Sequence, residues 1–175
     1  MNPTIRPATP ADIAVITDIY AQAVLHGTAT FEIQPPDETE MARRYRALME
    51  AAYPYLVAEV DGMVAGYAYA GSYRPRYGYR WTVENSIYIA PELHRRGVGR
   101  ALLTRLIEEC ESRGFRQMIA IIGDASQTPS IALHAALGFR HIGKFDAVAF
   151  KHGAWRDSIL MQRALGRGAT TTPSA

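Results

Sequence analysis

Cysteine is nearly missing from this chain. Cys110 stands alone among 175 residues, which excludes an internal disulfide framework. Histidine is scarce too, and no His/Cys cluster has metal-ligand spacing, so no metal is expected. No apolar run reaches membrane-spanning length, and the first residues lack the pattern of a secretory leader. The expected location is therefore cytoplasmic, without a membrane partner. The charge excess is only +2 at pH 7, too small for nucleic acid to be the main partner. A mildly basic surface suits anionic small molecules instead. With 48% hydrophobic and 21% charged residues, the chain has globular composition and enough length for one domain with a real core. That domain is expected over residues 1–165. Residues 166–175 are small or polar and predict a disordered tail.

Hydropathy patterning supplies the elements. Thr4 to Arg6 reads as a short strand. Thr9-Pro10-Ala11-Asp12 has a capping hydroxyl, proline at the first helical position and an acid in the first turn. Ile13, Ile16, Tyr20 and Val24 then give a helix one apolar face. Thr28 to Gln34 has no period and reads as a loop. Asp37-Glu38-Thr39-Glu40 has the form of a capping box and opens a second helix through Met41, Tyr45, Leu48 and Met49, ended by Pro54. Tyr55–Val60 and Met63–Ser72 form a hairpin across Asp61-Gly62. Tyr73 to Trp81 is a loop rich in arginine and tyrosine, and Thr82 to Ile89 is the next strand. A helix to about Arg113, a strand over Gln117–Ile122 and a helix over Ser130–Leu137 follow, with Gly114 and Gly138 as stops. Arg140–Lys144 and Ser158–Arg163 are late strands, with Lys151–Asp157 between them. This order predicts an α/β fold: a mixed, twisted sheet with helices on both faces.

His94-Arg95-Arg96-Gly97-Val98-Gly99-Arg100 is the most informative stretch. Before it lies the buried strand Ser86-Ile87-Tyr88-Ile89. After it, Val98, Leu102, Leu103, Leu106, Ile107 and Cys110 recur at helical spacing, which makes Cys110 a buried structural thiol. A glycine turn opening a helix aims several backbone N–H groups at one point, and the helix dipole and three arginines add positive charge there. Such a turn suits a diphosphate. It has no Gly-Lys-Ser/Thr ending, which excludes a nucleoside-triphosphate loop. Position 102 is Leu, so the third glycine of the dinucleotide fingerprint is missing. A plain basic helix start on a solvated surface is the remaining alternative.

The turn resembles the Gln/Arg-x-x-Gly-x-Gly/Ala turn of the GNAT acetyltransferase superfamily, with His94 in the slot usually held by Gln or Arg. A nearer resemblance, to the phosphinothricin and methionine sulfoximine N-acetyltransferases, is carried by further segments. These are Thr28-Ala29-Thr30-Phe31-Glu32, Tyr73 to Arg80, Thr82 to Ile89, Ser130 to Phe139, and Lys151 to Asp157. The resemblance implies the GNAT fold, with a cleft between splayed central strands, acetyl-CoA as cofactor, a small-molecule amine as substrate and a homodimer. It implies cofactor contacts from Ile87, Tyr88, Ile89, the residues His94, Arg95, Arg96, Gly97, Val98, Gly99 and Arg100, and from Gln127 and Ser130. Gln127 stands where the family has asparagine. A bulge in the Ile87–Ile89 strand, freeing one amide for the thioester oxygen, is also implied.

Acetyl transfer to an amine needs a base for the ammonium, donors for the carbonyl and a proton for the thiolate. Glu84, in an otherwise apolar strand, is the candidate base, because burial raises a carboxyl toward the useful range. The alternative is a strand-end carboxylate paired with Arg80 or Arg74. His134 falls where many family members place a tyrosine that protonates the thiolate. It serves as acid, as relay, or as a histidine satisfied on a helix face. Arg74, Arg76 and Arg80 offer guanidinium forks for a carboxylate, with Pro75 between them; a solvated charged loop is the plain reading. Phe31, Asn85 and Ser86 complete the expected substrate contacts, and Tyr73, Tyr77, Tyr79 and Trp81 are available as pocket walls. Trp155 reads as packing. The function expected is direct acetylation of the α-amino group of a small amino acid or analogue. Other acceptors (a protein N-terminus, a polyamine, an aminoglycoside) or a non-catalytic acyl-CoA-binding module are the alternatives.

Overall fold

Thr9 and Asp12 organise the first helix start. The Thr9 backbone N–H and hydroxyl donate to the Asp12 carboxylate at 2.7 and 2.9 Å. Arg6 holds the same carboxylate through two bonds of 2.8 Å and reaches Glu59 at 2.7 Å. The computed structural model describes residues 3–173. The elements are β1 (Thr4–Pro7), α1 (Ile13–His26), α2 (Glu38–Glu50), β2 (Tyr55–Val60), β3 (Met63–Ser72), β4 (Thr82–Ile89), α3 (Val98–Ser112), β5 (Gln117–Ile122), α4 (Thr128–Ala136), β6 (Arg140–Lys151) and β7 (Ala154–Ala164). Asp37 caps α2 by accepting from the Glu40 N–H at 2.8 Å.

The strands form one seven-stranded sheet in the order β1-β2-β3-β4-β5-β7-β6. Only β4 and β5 run parallel. Because strand side chains alternate, each face has its own core. Tyr55, Val57 and Tyr67 pack with Ile13, Ile16, Tyr20 and Val24 of α1 and Met41 and Tyr45 of α2. On the other face Leu56, Ala58, Ala68 and Ala70 share a core with Leu102, Leu103, Leu106, Ile107 and Cys110 of α3. Ile131 and Leu133 of α4 join that second core. The expected mixed sheet with helices on both faces is thus the observed architecture.

The end of the sheet differs from the expectation. β6 and β7 are long and meet across His152-Gly153, with φ of 51° and 71°, so the segment read as a connection is a tight hairpin. A His-Gly pair is not a strong turn signal in sequence, which hid it. The β6 ladder shifts register between Phe145 and Ala149, where the Ala147 N–H donates to Asp157 at 2.9 Å. Trp155 is 66% exposed and meets Phe150 edge-on at 5.5 Å, so it lies on the surface and does not pack a core.

Residues 166–173, expected to be disordered, are held in place. A turn closes from Gly168 N–H to Leu165 O at 2.8 Å, and Arg116 donates to Gly168 O at 3.3 Å and to the Thr171 hydroxyl at 3.1 Å. One arginine from before β5 supplies what the tail's own composition lacks. The last part of the expected tail, 174 and 175, lies outside the described residues.

Candidate active site

The cleft begins where two strands part. β4 and β5 pair at Thr82–Gln117, Val83–Met118 and Glu84–Ile119, and no further. Each then follows its outer neighbour: β4 stays on β3 as far as Ile89, and β5 stays on β7 as far as Ile122. At the fork the Asn85 side-chain Nδ2 donates to Ile119 O at 3.2 Å, so a side chain takes the carbonyl of the last paired β5 residue. The opening is a cleft of about 220 Å³. It is lined by Glu84, Ser86, Ile87 and Tyr88 of β4, the end of β5, Gln127, Ser130 and His134 of α4, and Phe31.

The implied bulge is not present, since the β3–β4 register runs unbroken from Gly66–Ile89 to Ser72–Val83. Free amides arise differently. Thr82 O and Ala90 N bond toward the β3 side, to Tyr73 N and Ala65 O. By alternation, Tyr88 bonds toward β3 as well, whereas Ile87 and Ile89 turn their N–H and C=O to the side that β5 has left. Of the three residues expected to offer amides, Tyr88 contributes only its position in the cleft wall.

The wall opposite β4 is a clamped loop. A methyl group added at Gly123 would stand 2.5 Å from Thr28 O, so only glycine permits this approach. Gln127 Nε2 donates to the Thr28 hydroxyl at 2.9 Å, and buried Lys151 donates to Thr30 O at 2.7 Å. Tyr20 and Arg44 hold Glu32 at 3.0 and 2.6 Å. Phe31 is thereby presented to the cleft. The lysine opens a segment that carries the resemblance, but its own role was hidden, because it lies between Phe150 and His152 in an exposed strand. Gly123, directly after a buried strand, was a signal of close backbone approach.

Glu84 is half-buried, and burial raises its carboxyl above the ordinary value. Among the described residues no cation pairs with it. The arginines suggested as its partners rest on aromatic rings: Arg74 lies 5.2 Å from the Tyr73 ring, and Arg80 lies 4.1 Å from Tyr77 and 5.1 Å from Trp81. Arg74, Pro75, Arg76 and Arg80 are all exposed, and none lines the cleft. Their loop instead borders a second cavity of about 300 Å³, through Tyr73 and Tyr79, with Thr82, Ile119 and Leu160 on its floor. Of the last β4–β5 pair, Glu84 lines the cleft and Ile119 lines the second cavity.

His134 is 2% exposed in α4. Its Nδ1 lies 2.8 Å from Ser130 O and its Nε2 lies 3.1 Å from Asn85 Oδ1. Burial pulls the imidazole below its usual pKa, and the Ser130 carbonyl opposes this. Asn85 lines the cleft but is 6% exposed, with both ends of its amide engaged by Ile119 O and His134. Ser86 lines the cleft as well.

The turn before α3 has the geometry of an anion cradle. Arg95 and Gly97 have φ of 62° and 80°, and the first helical bond runs from Ala101 N–H to Gly97 O. The N–H groups of Val98, Gly99 and Arg100 therefore lack helical acceptors. A Cβ at Gly97 would meet nothing within 4 Å, whereas one at Gly99 would stand 3.2 Å from Leu133 and 3.9 Å from Ile87. Gly97 thus supplies the left-handed turn, and Gly99 lets α3 press against β4 and α4. Arg95, Arg96 and Arg100 are exposed, with no acidic partner among the described residues. His94 turns back, its Nε2 meeting Ile89 O at 3.1 Å, and so fixes the turn to the end of β4.

Residues 19–139 match the acetyltransferase (GNAT) family. The chain is 52% identical over 170 residues to the phosphinothricin N-acetyltransferase of Alcaligenes faecalis, covering 97% of this chain and 86% of that one. It is 41% identical over 166 residues to the L-methionine sulfoximine/L-methionine sulfone acetyltransferase of Salmonella typhimurium, covering 95% and 96% of the two chains. The crystal structure of a phosphinothricin acetyltransferase from Sinorhizobium meliloti in complex with acetyl-CoA superposes with a TM-score of 0.97 at 50% identity, covering 99% of this chain and 94% of that one. The chain belongs to the acetyltransferase (GNAT) family.

Proposed function

We propose that this chain transfers the acetyl group of acetyl-CoA to the α-amino group of a small amino acid or analogue of the phosphinothricin and methionine sulfoximine or sulfone kind. The observation that carries this reading is Glu84, a half-buried carboxylate with no cationic partner among the described residues, at the fork of the cleft. The names of the relatives and the acetyl-CoA bound by the Sinorhizobium meliloti protein support it.

The residues present fit that cofactor. The N–H groups of Val98, Gly99 and Arg100 with Arg95, Arg96 and Arg100 would hold its diphosphate, and the open space at Gly97 leaves room for it. The edge of Ile87 and Ile89 would bond its amide-bearing arm, beside Ser130 and Gln127. When bound, acetyl-CoA supplies an acetyl group activated as a thioester. Glu84 accepts the proton of the arriving ammonium, directly or through a water, and its raised pKa makes it a better base at neutral pH. The Ile87 or Ile89 N–H polarises the carbonyl. His134 holds a proton at Nε2 for the leaving group. Attack is direct. Cys110 is fully buried in α3, and burial pushes its thiol up to about 12, so it is no acyl carrier.

The test is thiol release from acetyl-CoA, with mass spectrometry of the product, across phosphinothricin, methionine sulfoximine, methionine sulfone, free amino acids, a peptide and a polyamine. The expected product is the N-acetyl amino acid. No thiol release with any of these amines would contradict the reading and mark an acyl-CoA-binding module.

We also propose a homodimer. Phe145, Val148, Phe150 and Trp155 of β6 and β7 are 53–66% exposed and form an apolar strip on the sheet edge. Sedimentation should give twice the chain mass, and Trp155→Lys with Phe150→Lys should give the monomer.

A further inference from the structure

Asn85 joins two functions of the cleft in one side chain. Its Nδ2 faces a carbonyl, Ile119 O, at 3.2 Å. A carbonyl only accepts, so this contact fixes which end of the amide is nitrogen. The oxygen end is then fixed as well, 3.1 Å from His134 Nε2. On the far side of the ring, Nδ1 faces a second pure acceptor, Ser130 O, at 2.8 Å. A neutral imidazole carries one N–H and must set a lone pair against one of these oxygens. The imidazolium satisfies both.

We propose that Asn85 is a positioning residue for His134: its Oδ1 holds a proton on Nε2 and keeps that edge of the ring at the fork of the cleft. The inference rests on the reading of His134 as the proton holder in acetyl transfer. When the Nε2 proton leaves, the remaining proton stays on Nδ1, bonded to Ser130 O. The bare Nε2 then faces Asn85 Oδ1 without a hydrogen between them, which favours taking up a proton again before the next turnover. Burial favours the neutral ring, the Ser130 carbonyl opposes it, and an acceptor at Nε2 acts in the same opposing sense.

The charged surroundings of His134 are few. Glu84 and Tyr88 of β4 share the cleft with it. Arg163 of β7 bonds Leu137 O at the end of α4 and lies 3.5 Å from Glu111 of α3. Arg140 and His141, which open β6, are exposed. The edge of the ring meets Phe139 at 4.9 Å. No carboxylate touches either ring nitrogen among the described residues, so the groups in contact with the ring nitrogens are the two neutral oxygens.

The test is a histidine 15N titration of the wild type, Asn85→Leu and Asn85→Asp. The His134 signal is the one lost in His134→Gln. Leu keeps the branching of the side chain but removes the acceptor, and the His134 midpoint should fall by roughly one pH unit, tenfold in the protonation equilibrium. Asp keeps an acceptor toward the ring and adds charge while giving up the bond to Ile119 O, and the midpoint should rise by about as much. Asp also keeps the comparison readable should Leu prevent folding. The limb of the kcat–pH profile belonging to His134 should move with each midpoint. An unchanged midpoint in the folded variants would overturn the proposal. Full activity of His134→Gln with the midpoint shifts intact would overturn the catalytic reading of His134 and leave the Asn85–His134 coupling standing.

Discussion

Gly123 and Thr28 touch backbone to backbone: a methyl group at Gly123 would stand 2.5 Å from the Thr28 carbonyl oxygen. This contact seats the loop that carries Phe31 against the end of β5, and so sets the width of the cleft. Gly123→Ala should force the loop outward. Overpacking of this kind costs about 1–3 kcal/mol, read as a lower Tm. The acceptor KM should rise more than the acetyl-CoA KM, because Phe31 belongs to the displaced loop and the α3 turn does not.

Gly97 has a φ of 80° and open space where a Cβ would be. Gly97→Ala therefore meets no clash but must adopt a left-handed backbone, at a cost of about 1 kcal/mol. Titration calorimetry with desulfo-coenzyme A should show binding weakened by about fivefold, the same energy expressed as an equilibrium constant. Unaltered binding would remove the turn from the anion site.

Asp12 carries a stability prediction. The Arg6 guanidinium, with help from Thr9, lowers its carboxyl from 3.8 to about 2. A carboxyl depressed in the folded state stabilises above its unfolded pKa, and that contribution disappears as pH falls through the folded value. Roughly 2 kcal/mol should therefore be lost between about pH 4 and pH 2. Denaturant unfolding of Asp12→Asn should show lower stability at pH 7 and a flatter decline over that window.

The sequence carried the elements well where the signals were local. Asp61-Gly62, the Asp37 cap and the apolar stripe from Val98 to Cys110 each determine a short piece of chain, and each was readable. The cradle was legible for the same reason, since glycine and arginine at a helix start need no distant partner. The remainder depends on contacts across the fold. That Asn85 bonds His134 and Ile119 follows from residues 49 and 34 positions away. Lys151 reaches Thr30 across 121 positions. The arginines of the 74–80 loop were read as a converging cluster, but neighbouring tyrosine and tryptophan rings hold two of them. The tail looked unstructured because its anchor, Arg116, lies elsewhere in the chain.

The pH dependence of acetyl transfer by Glu84→Gln bears most directly on the central claim, that a desolvated carboxylate at the fork of β4 and β5 deprotonates the amine. The wild-type kcat/KM should rise with pH through a Glu84 midpoint lying above the ordinary carboxylate value. The variant should lose about a hundredfold or more at neutral pH, as general-base catalysis of this kind contributes. It should lack the lower limb and recover as the acceptor amine loses its own proton at high pH. A profile that keeps the wild-type shape and height would contradict the account.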